Sequence, residues 1–329
     1  MKAIPYGRQQ IFKDDIEEVV DVLKSDWITQ GKKIRNFEQA LASYCHAKYA
    51  VAVSSGTAAL HLSCLAAGLK KGDEAITTPI TFLATANSIL YSQARPVFAD
   101  VLNDSGNIDP SEIKKKITKK TKAVLPVHFA GNPCDMPSIY KIAKARKLIV
   151  IEDACHALGA EYRHRGRWYK IGSCRHSDMA VFSFHPVKHI TTGEGGAITT
   201  NNPSVYKKLC ALRSHGVYRD PDKLKRKGNW FYEMRDLGFN YRITDFQCAL
   251  GLSQLRKLKH FIKKRTTVAD IYYDRLFCLE SLVLPPRSKD IKPAWHLYPI
   301  RLRQQHNVEN MRKNFFYYLR KHNVLVQVH

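Results

Sequence analysis

Short β-branched runs recur along this chain, each separated from the next by a stretch of helical spacing, and that alternation limits the possible folds more than any single residue does. Tyr49–Val53 is an apolar run that breaks at Ser54-Ser55-Gly56-Thr57 and passes into a helical Ala58–Leu65. Ala75–Thr78 and Pro96–Ala99 read as strands with a helix over Phe82–Leu90 between them. Ala123–Val127 and Leu148–Ile151 read as strands around a helix at Ile139–Ala145, and Met179–Phe184 and Gly196–Thr200 as two more strands. Helical spacing at Ile11–Leu23 and Phe37–Tyr44 precedes the first strand. This order predicts an α/β domain with a mostly parallel sheet flanked by helices over residues 1–245. Beyond residue 245 a long helix, Phe246–Tyr273, leads through Pro285-Pro286 into isolated strands and helices, read as a small α+β domain over 246–329.

Composition narrows the class. With 329 residues, 44% hydrophobic and 25% charged, the chain can bury a large core. No run approaches the ~18–20 apolar residues of a membrane helix, and MKAIPYGRQQ lacks the apolar stretch of a signal peptide, so a cytoplasmic protein without a membrane partner is expected. Eight scattered cysteines with no C-x-x-C pair read as reduced thiols rather than as a disulfide framework or zinc site. The net charge of +24 invites a nucleic-acid reading. Its clusters at 114–122, 223–227 and 256–265 are not interleaved with aromatics, and no nucleic-acid motif is present, so solvated helix faces and a weakly anion-attracting surface are expected instead.

In sheets of this kind ligands gather beyond the carboxyl ends of the strands, and three strand ends here carry chemistry. Ser-Ser-Gly-Thr follows Tyr49–Val53 at a helix start, where free N–H groups and the helix dipole hold phosphate; a capped helix after a tight turn is the plainer reading. Glu152-Asp153-Ala154 closes Leu148–Ile151, as an acid site or a helix cap. His185-Pro-Val-Lys188-His189 closes Met179–Phe184. Pro186 prevents a regular helix through the two histidines and no acid lies between them, so no metal is expected. Together, an anion cradle, an acid and a lysine fit pyridoxal 5'-phosphate, which needs a phosphate site, a carboxylate facing its pyridine nitrogen and an amine to form an imine with its aldehyde. Burial near cationic groups makes such an amine nucleophilic.

SSGTAALHL, TTPITFLATAN, VIEDACHALGAEY, VFSFHPVKHITTGEGGAITTN, LRSHG and GFNYRITDFQCALGLSQL occur in this order. From about Pro5 to the last residue they make the chain resemble the DegT/StrS-type sugar-nucleotide aminotransferases, enzymes of PLP fold type I. WITQGKK, NDSGNID at 103–109 and HLYPIRL at 296–302 resemble most the branch that aminates a UDP-linked 4-keto-6-deoxy-N-acetylhexosamine on the way to pseudaminic acid. The resemblance implies that Lys188 bonds to the cofactor and shuttles protons, that Asp153 faces the pyridine nitrogen and that His156 lies beside the phenolic oxygen. It implies that Phe82 stacks on the ring and that Thr57, Ser183 and the backbone at Gly56 and Ala58 hold the phosphate. Asn240 is expected to reach the phosphate of a partner subunit's cofactor, in a homodimer with shared active sites; Arg242 reads equally as an anion contact or a salt bridge. Tyr6, Asp26, Trp27, Ile28, Thr29, Gln327, Val328 and His329 are expected to line the pocket of the UDP-sugar, with glutamate as amino donor. Relatives continue past the VLVQVH at which this chain stops, so a small domain incomplete at its end is expected. A same-fold dehydratase would carry His in place of Lys188, and a non-catalytic basic binding protein would need neither Lys188, Asp153 nor Thr57.

Overall fold

The computed structural model describes residues 3–219, 221–303 and 308–328. The chain opens with α1 (Lys13–Leu23) and α2 (Lys32–Cys45), then β1 (Tyr49–Val53), α3 (Gly56–Ala66), β2 (Glu74–Thr77), α4 (Leu83–Tyr91), β3 (Arg95–Phe98), α5 (Pro110–Lys116) and β4 (Thr121–Val124). It continues through α6 (Met136–Ala145), β5 (Ile149–Asp153), β6 (Glu161–His164), β7 (Arg167–Lys170), β8 (Met179–Ser183), β9 (Gly196–Thr200) and α7 (Pro203–Arg213). Then come β10 (Val217–Tyr218), α8 (Pro221–Lys227), β11 (Glu233–Met234), α9 (Asp245–Leu276), β12 (Leu282–Val283), β13 (Ile291–Lys292), β14 (Arg301–Leu302) and α10 (Val308–Lys321).

The central sheet has seven strands in the order β1-β9-β8-β5-β4-β2-β3. Strands β8, β5, β4, β2 and β3 pair in parallel, whereas β9 runs antiparallel to both β1 and β8. Reversing one strand leaves β1, β2, β5 and β8 pointing the same way, so their carboxyl ends share one edge. Strands β1, β9, β8 and β5 are buried on both faces, as crossover helices require: Val51, Ile151, Val181 and Ile198 pack on one side, and Ala52, Val150, Phe182 and Ala197 on the other.

The long helix α9 packs its amino-terminal part into the main core. Cys248, Leu255, Leu258 and Phe261 on its first half share a core with Phe37, Leu41 and Phe184. Asp245 ties its start to α2, accepting from the N–H groups of Gly31 at 2.7 Å and Lys33 at 2.9 Å. The β6–β7 hairpin, to which β13 adds an antiparallel strand, was not legible as strands in the sequence.

Candidate active site

The shared carboxyl edge gathers the three chemical strand ends and a fourth. After β1, Ser55 caps α3, its Oγ accepting from Ala58 N–H at 3.0 Å. The Ala58 donor expected at a phosphate is therefore engaged within the chain, while no hydrogen bond of the Gly56 or Thr57 N–H is seen among the described residues. A Cβ on Gly56 would lie 2.9 Å from Ser183 Cβ, so only glycine lets the end of β8 sit against the start of α3. That contact puts the Ser183 hydroxyl beside the positive end of a helix.

Asp153, at the end of β5, is 5% exposed. Its Oδ2 accepts from Thr85 Oγ1 at 2.7 Å and its Oδ1 from Cys155 N–H at 3.2 Å. No basic side chain pairs with it among the described residues, so a buried carboxylate is held in place with lone pairs left for a cationic N–H. Thr85 lies in the quoted TTPITFLATAN run but was assigned no role; its place one turn beyond Phe82 in α4 was the available signal. Phe82 itself is the N-cap of α4 and is 72% exposed, one turn before Thr85, so its ring is no part of the core.

Lys188 follows β8 in a turn closed by Lys188 N–H donating to His185 O at 2.9 Å. Burial pushes its amine below the usual lysine range, while Cys155 and Asp153 pull the other way. Its Nζ is 3.5 Å from Nε2 of His296, whose ring lies 4.3 Å from that of His156. His296 belongs to the quoted HLYPIRL motif, but nothing in sequence spacing linked it to a lysine more than a hundred residues earlier. Burial, followed by His156, Lys188, His189 and Arg265, holds the His296 imidazole uncharged. Burial also pushes His189 down, and its Nε2–H donates to Ala294 O at 3.1 Å.

A second buried layer lies behind Asp153. His128 Nδ1 accepts from Cys134 N–H at 3.0 Å, so the ring proton is on Nε2 and donates to Glu152 at 2.9 Å; Ser177 donates to the other Glu152 oxygen. His128 N–H also donates to Asp153 O at 3.1 Å, joining this layer to the strand end.

The remaining expected residues divide into three groups. Asn240 is exposed, and Ser54 N–H donating to Tyr241 O at 2.9 Å holds its loop beside the α3 turn; Arg242 makes no ion pair among the described residues. The two chain ends meet: Ile4 N–H donates to Asn323 O at 2.8 Å and Leu325 N–H to Ile4 O at 3.0 Å, bringing Tyr6 toward exposed Gln327 and Val328. A Cβ on Gly7 would touch Val187 at 3.7 Å, so this paired segment passes beside the Lys188 turn. Asp26, Trp27, Ile28 and Thr29 instead sit at the start of α9, where Asp245 N–H donates to Ile28 O at 2.9 Å and Thr29 bridges Thr244. His329 lies outside the described residues.

The profile of the DegT/DnrJ/EryC1/StrS aminotransferase family matches residues 9–329. A Campylobacter jejuni protein named UDP-4-amino-4,6-dideoxy-N-acetyl-beta-L-altrosamine transaminase is 41% identical over 303 residues, covering 91% of this chain and 76% of its own. The structure of Helicobacter pylori PseC, an aminotransferase involved in the biosynthesis of pseudoaminic acid, superposes with a TM-score of 0.90 at 36% identity, over 100% of this chain and 85% of that one. The PLP form of the sugar aminotransferase Spr1654 from Streptococcus pneumoniae superposes with a TM-score of 0.86 at 28% identity, over 98% and 83%. Pyridoxal phosphate fits the groups present here: a glycine-lined helix start, a buried carboxylate with no ion pair among the described residues, and a buried amine. The chain thus belongs to the DegT/DnrJ/EryC1/StrS family of PLP-dependent sugar aminotransferases.

Proposed function

We propose that this enzyme moves an amino group from L-glutamate to the C4 ketone of a UDP-linked 4-keto-6-deoxy-N-acetylhexosamine, a step toward pseudaminic acid, in two half-reactions. The observation that carries the chemistry is Lys188, a buried amine held below its usual basicity at the edge where the strand ends converge. Support for the sugar comes from the names of the Campylobacter and Helicobacter relatives. Pyridoxal phosphate supplies an electron sink for the broken C–H bond and carries the amino group between donor and acceptor.

The chain's own residues have separable tasks in this reading. Lys188, its basicity lowered by burial, serves as the nucleophile and then takes and returns the proton at the reacting carbon. Asp153, fixed by Thr85 and Cys155 N–H, holds a proton on the ring nitrogen. Thr57, Ser183 and the N–H groups at the start of α3 bind the phosphate. Phe82 covers one ring face and His156 lies toward the phenolic oxygen. Asn240 reaches the site of a second subunit, so the working unit is a homodimer. Tyr6, Asp26–Thr29 and the chain end at Gln327 and Val328 line the sugar pocket, and glutamate is too short to reach them. We propose further that residues 1–245 carry the cofactor, that 246–329 form the smaller domain with α9 shared between the two, and that the enzyme works in the cytoplasm.

The test is direct. Loaded enzyme and glutamate are supplied with UDP-, dTDP- and GDP-linked 4-keto sugars, and the products are read by mass spectrometry. Amination of the UDP-linked N-acetylated sugar at least tenfold faster than the others is expected. Preference for another nucleotide would move the substrate to that sugar class and leave the transaminase chemistry standing.

A further inference from the structure

We infer that His296 is the hydrogen-bond acceptor that stabilises a proton on the Lys188 nitrogen, a role for a residue that reaches the site from beyond α9. The inference rests on Lys188 being the reactive amine.

The position of His296 is enforced from several sides. Ala294 N–H donates to Gly131 O at 2.9 Å and Leu297 N–H to Ala130 O at 3.3 Å, docking the segment onto the turn after β4. Gly131 has φ +90°, and a Cβ there would lie 2.6 Å from His156 O and 3.0 Å from His296 N, so the docking needs glycine. Trp295 is held at φ 47°, a left-handed conformation that costs a bulky residue energy and turns the next side chain inward. Arg265 on α9 donates to both Trp295 O and His296 O at 3.1 Å. A strained residue clamped by an arginine and two backbone bonds thus presents His296 Nε2 to Lys188 Nζ at 3.5 Å.

The chemistry follows from what surrounds the pair. Facing it are Asp153 and Cys155 at the end of β5, His156, His189 and Arg265. Burial holds the Cys155 thiol protonated, and neither His189 nor His296 is charged. No carboxylate lies within ion-pair distance of Nζ among the described residues, so nothing pins Lys188 as a permanent ammonium. When the reaction places a proton on that nitrogen, the Nε2 lone pair accepts its N–H, and the ring proton then sits on Nδ1. Nδ1 is buried with no hydrogen-bond partner among the described residues. The acceptor therefore supports a proton on the Lys188 nitrogen without pinning it there, which suits an amine that must gain and lose that proton in each turnover. The proton stays on Nζ and His296 lends only a lone pair, so no further acid or base is required.

The visible band of the cofactor-loaded enzyme, titrated with pH, reports the proton on the Lys188 nitrogen independently of turnover. His296→Phe removes the acceptor and should lower the midpoint by on the order of one pH unit, the size expected for a charge-assisted hydrogen bond. His296→Gln keeps an acceptor and should stay much closer to wild type. Thermal melts confirm that the variants fold, and His296→Met replaces His296→Phe if the latter does not. An unchanged midpoint in the folded apolar variant, or an equal shift in His296→Gln, overturns the inference while leaving Lys188's role intact. A wild-type band that does not move with pH overturns the inference alone, and a wild-type enzyme with no visible band overturns both.

Discussion

A lysine buried between two histidines and a cysteine costs stability wherever it is charged, and Lys188 shows that cost in its depressed basicity. Below its folded-state pKa it is charged in both states and the whole penalty applies. Between that value and the ordinary lysine value of 10.5, only the unfolded chain binds the proton, so stability rises with pH. Lys188→Met should therefore raise the melting temperature of the cofactor-free protein at neutral pH while abolishing turnover, and differential scanning calorimetry should show the gain shrinking as pH approaches 10.5. Asp153 is the opposite case, a buried carboxylate that its donors keep in register. Asp153→Asn keeps the shape but loses the charge, worth ~1.5–3 kcal/mol, so kcat/KM should fall by roughly ten- to hundredfold. Thr85→Val removes one of the two donors and should cost about tenfold with little change in glutamate KM, since Thr85 acts through Asp153. Lys188, Asp153 and the Ser-Ser-Gly-Thr turn were legible because each ends a strand. Thr85 and His296 were not, because their partners are distant in sequence and only the folded chain brings them together.

Elements whose ends coincide with strong punctuation were read from sequence almost to the residue. Tyr49–Val53 and Gly196–Thr200 match β1 and β9, bounded by Ser-Ser-Gly-Thr and by Gly-Glu-Gly before the strand and Asn-Asn-Pro after it. The β6–β7 hairpin escaped notice because EYRH and RWYK are charged and only partly buried, with none of the apolar runs that mark the central strands. The reversed direction of β9 was equally hidden, since two parallel and two antiparallel buried strands look alike in sequence. The boundary expected at residue 245 falls at a real helix start, yet tertiary packing makes the first half of α9 part of the main core. Asp245 does two jobs there, opening α9 and binding the N–H groups at the start of α2. Asp245→Ala would leave those donors buried without a partner and should destabilise the protein by about 2 kcal/mol in denaturant titrations.

Across the described residues, exposed apolar side chains occur from the first segment to the last. Trp27, Ile28, Phe82, Leu83, Trp230, Tyr232, Met234 and Leu237 are all exposed. A dimer with shared sites makes a specific demand. Lys188→Ala and Asn240→Ala, each inactive as a homodimer, should regain about a quarter of wild-type activity when unfolded and refolded together, because half the dimers are mixed and each mixed dimer has one intact site. No recovery would mean that Asn240 serves its own subunit. The excess of 24 positive charges is consistent with attraction of a diphosphate-bearing substrate, an effect on association rate that added salt should weaken. Borohydride reduction of the cofactor-loaded protein followed by peptide mass mapping shows whether Lys188 is the amine through which this enzyme works. One cofactor mass per chain is expected, on the peptide containing Lys188, with the visible band lost on reduction. Label on a different lysine, or none, would contradict that role.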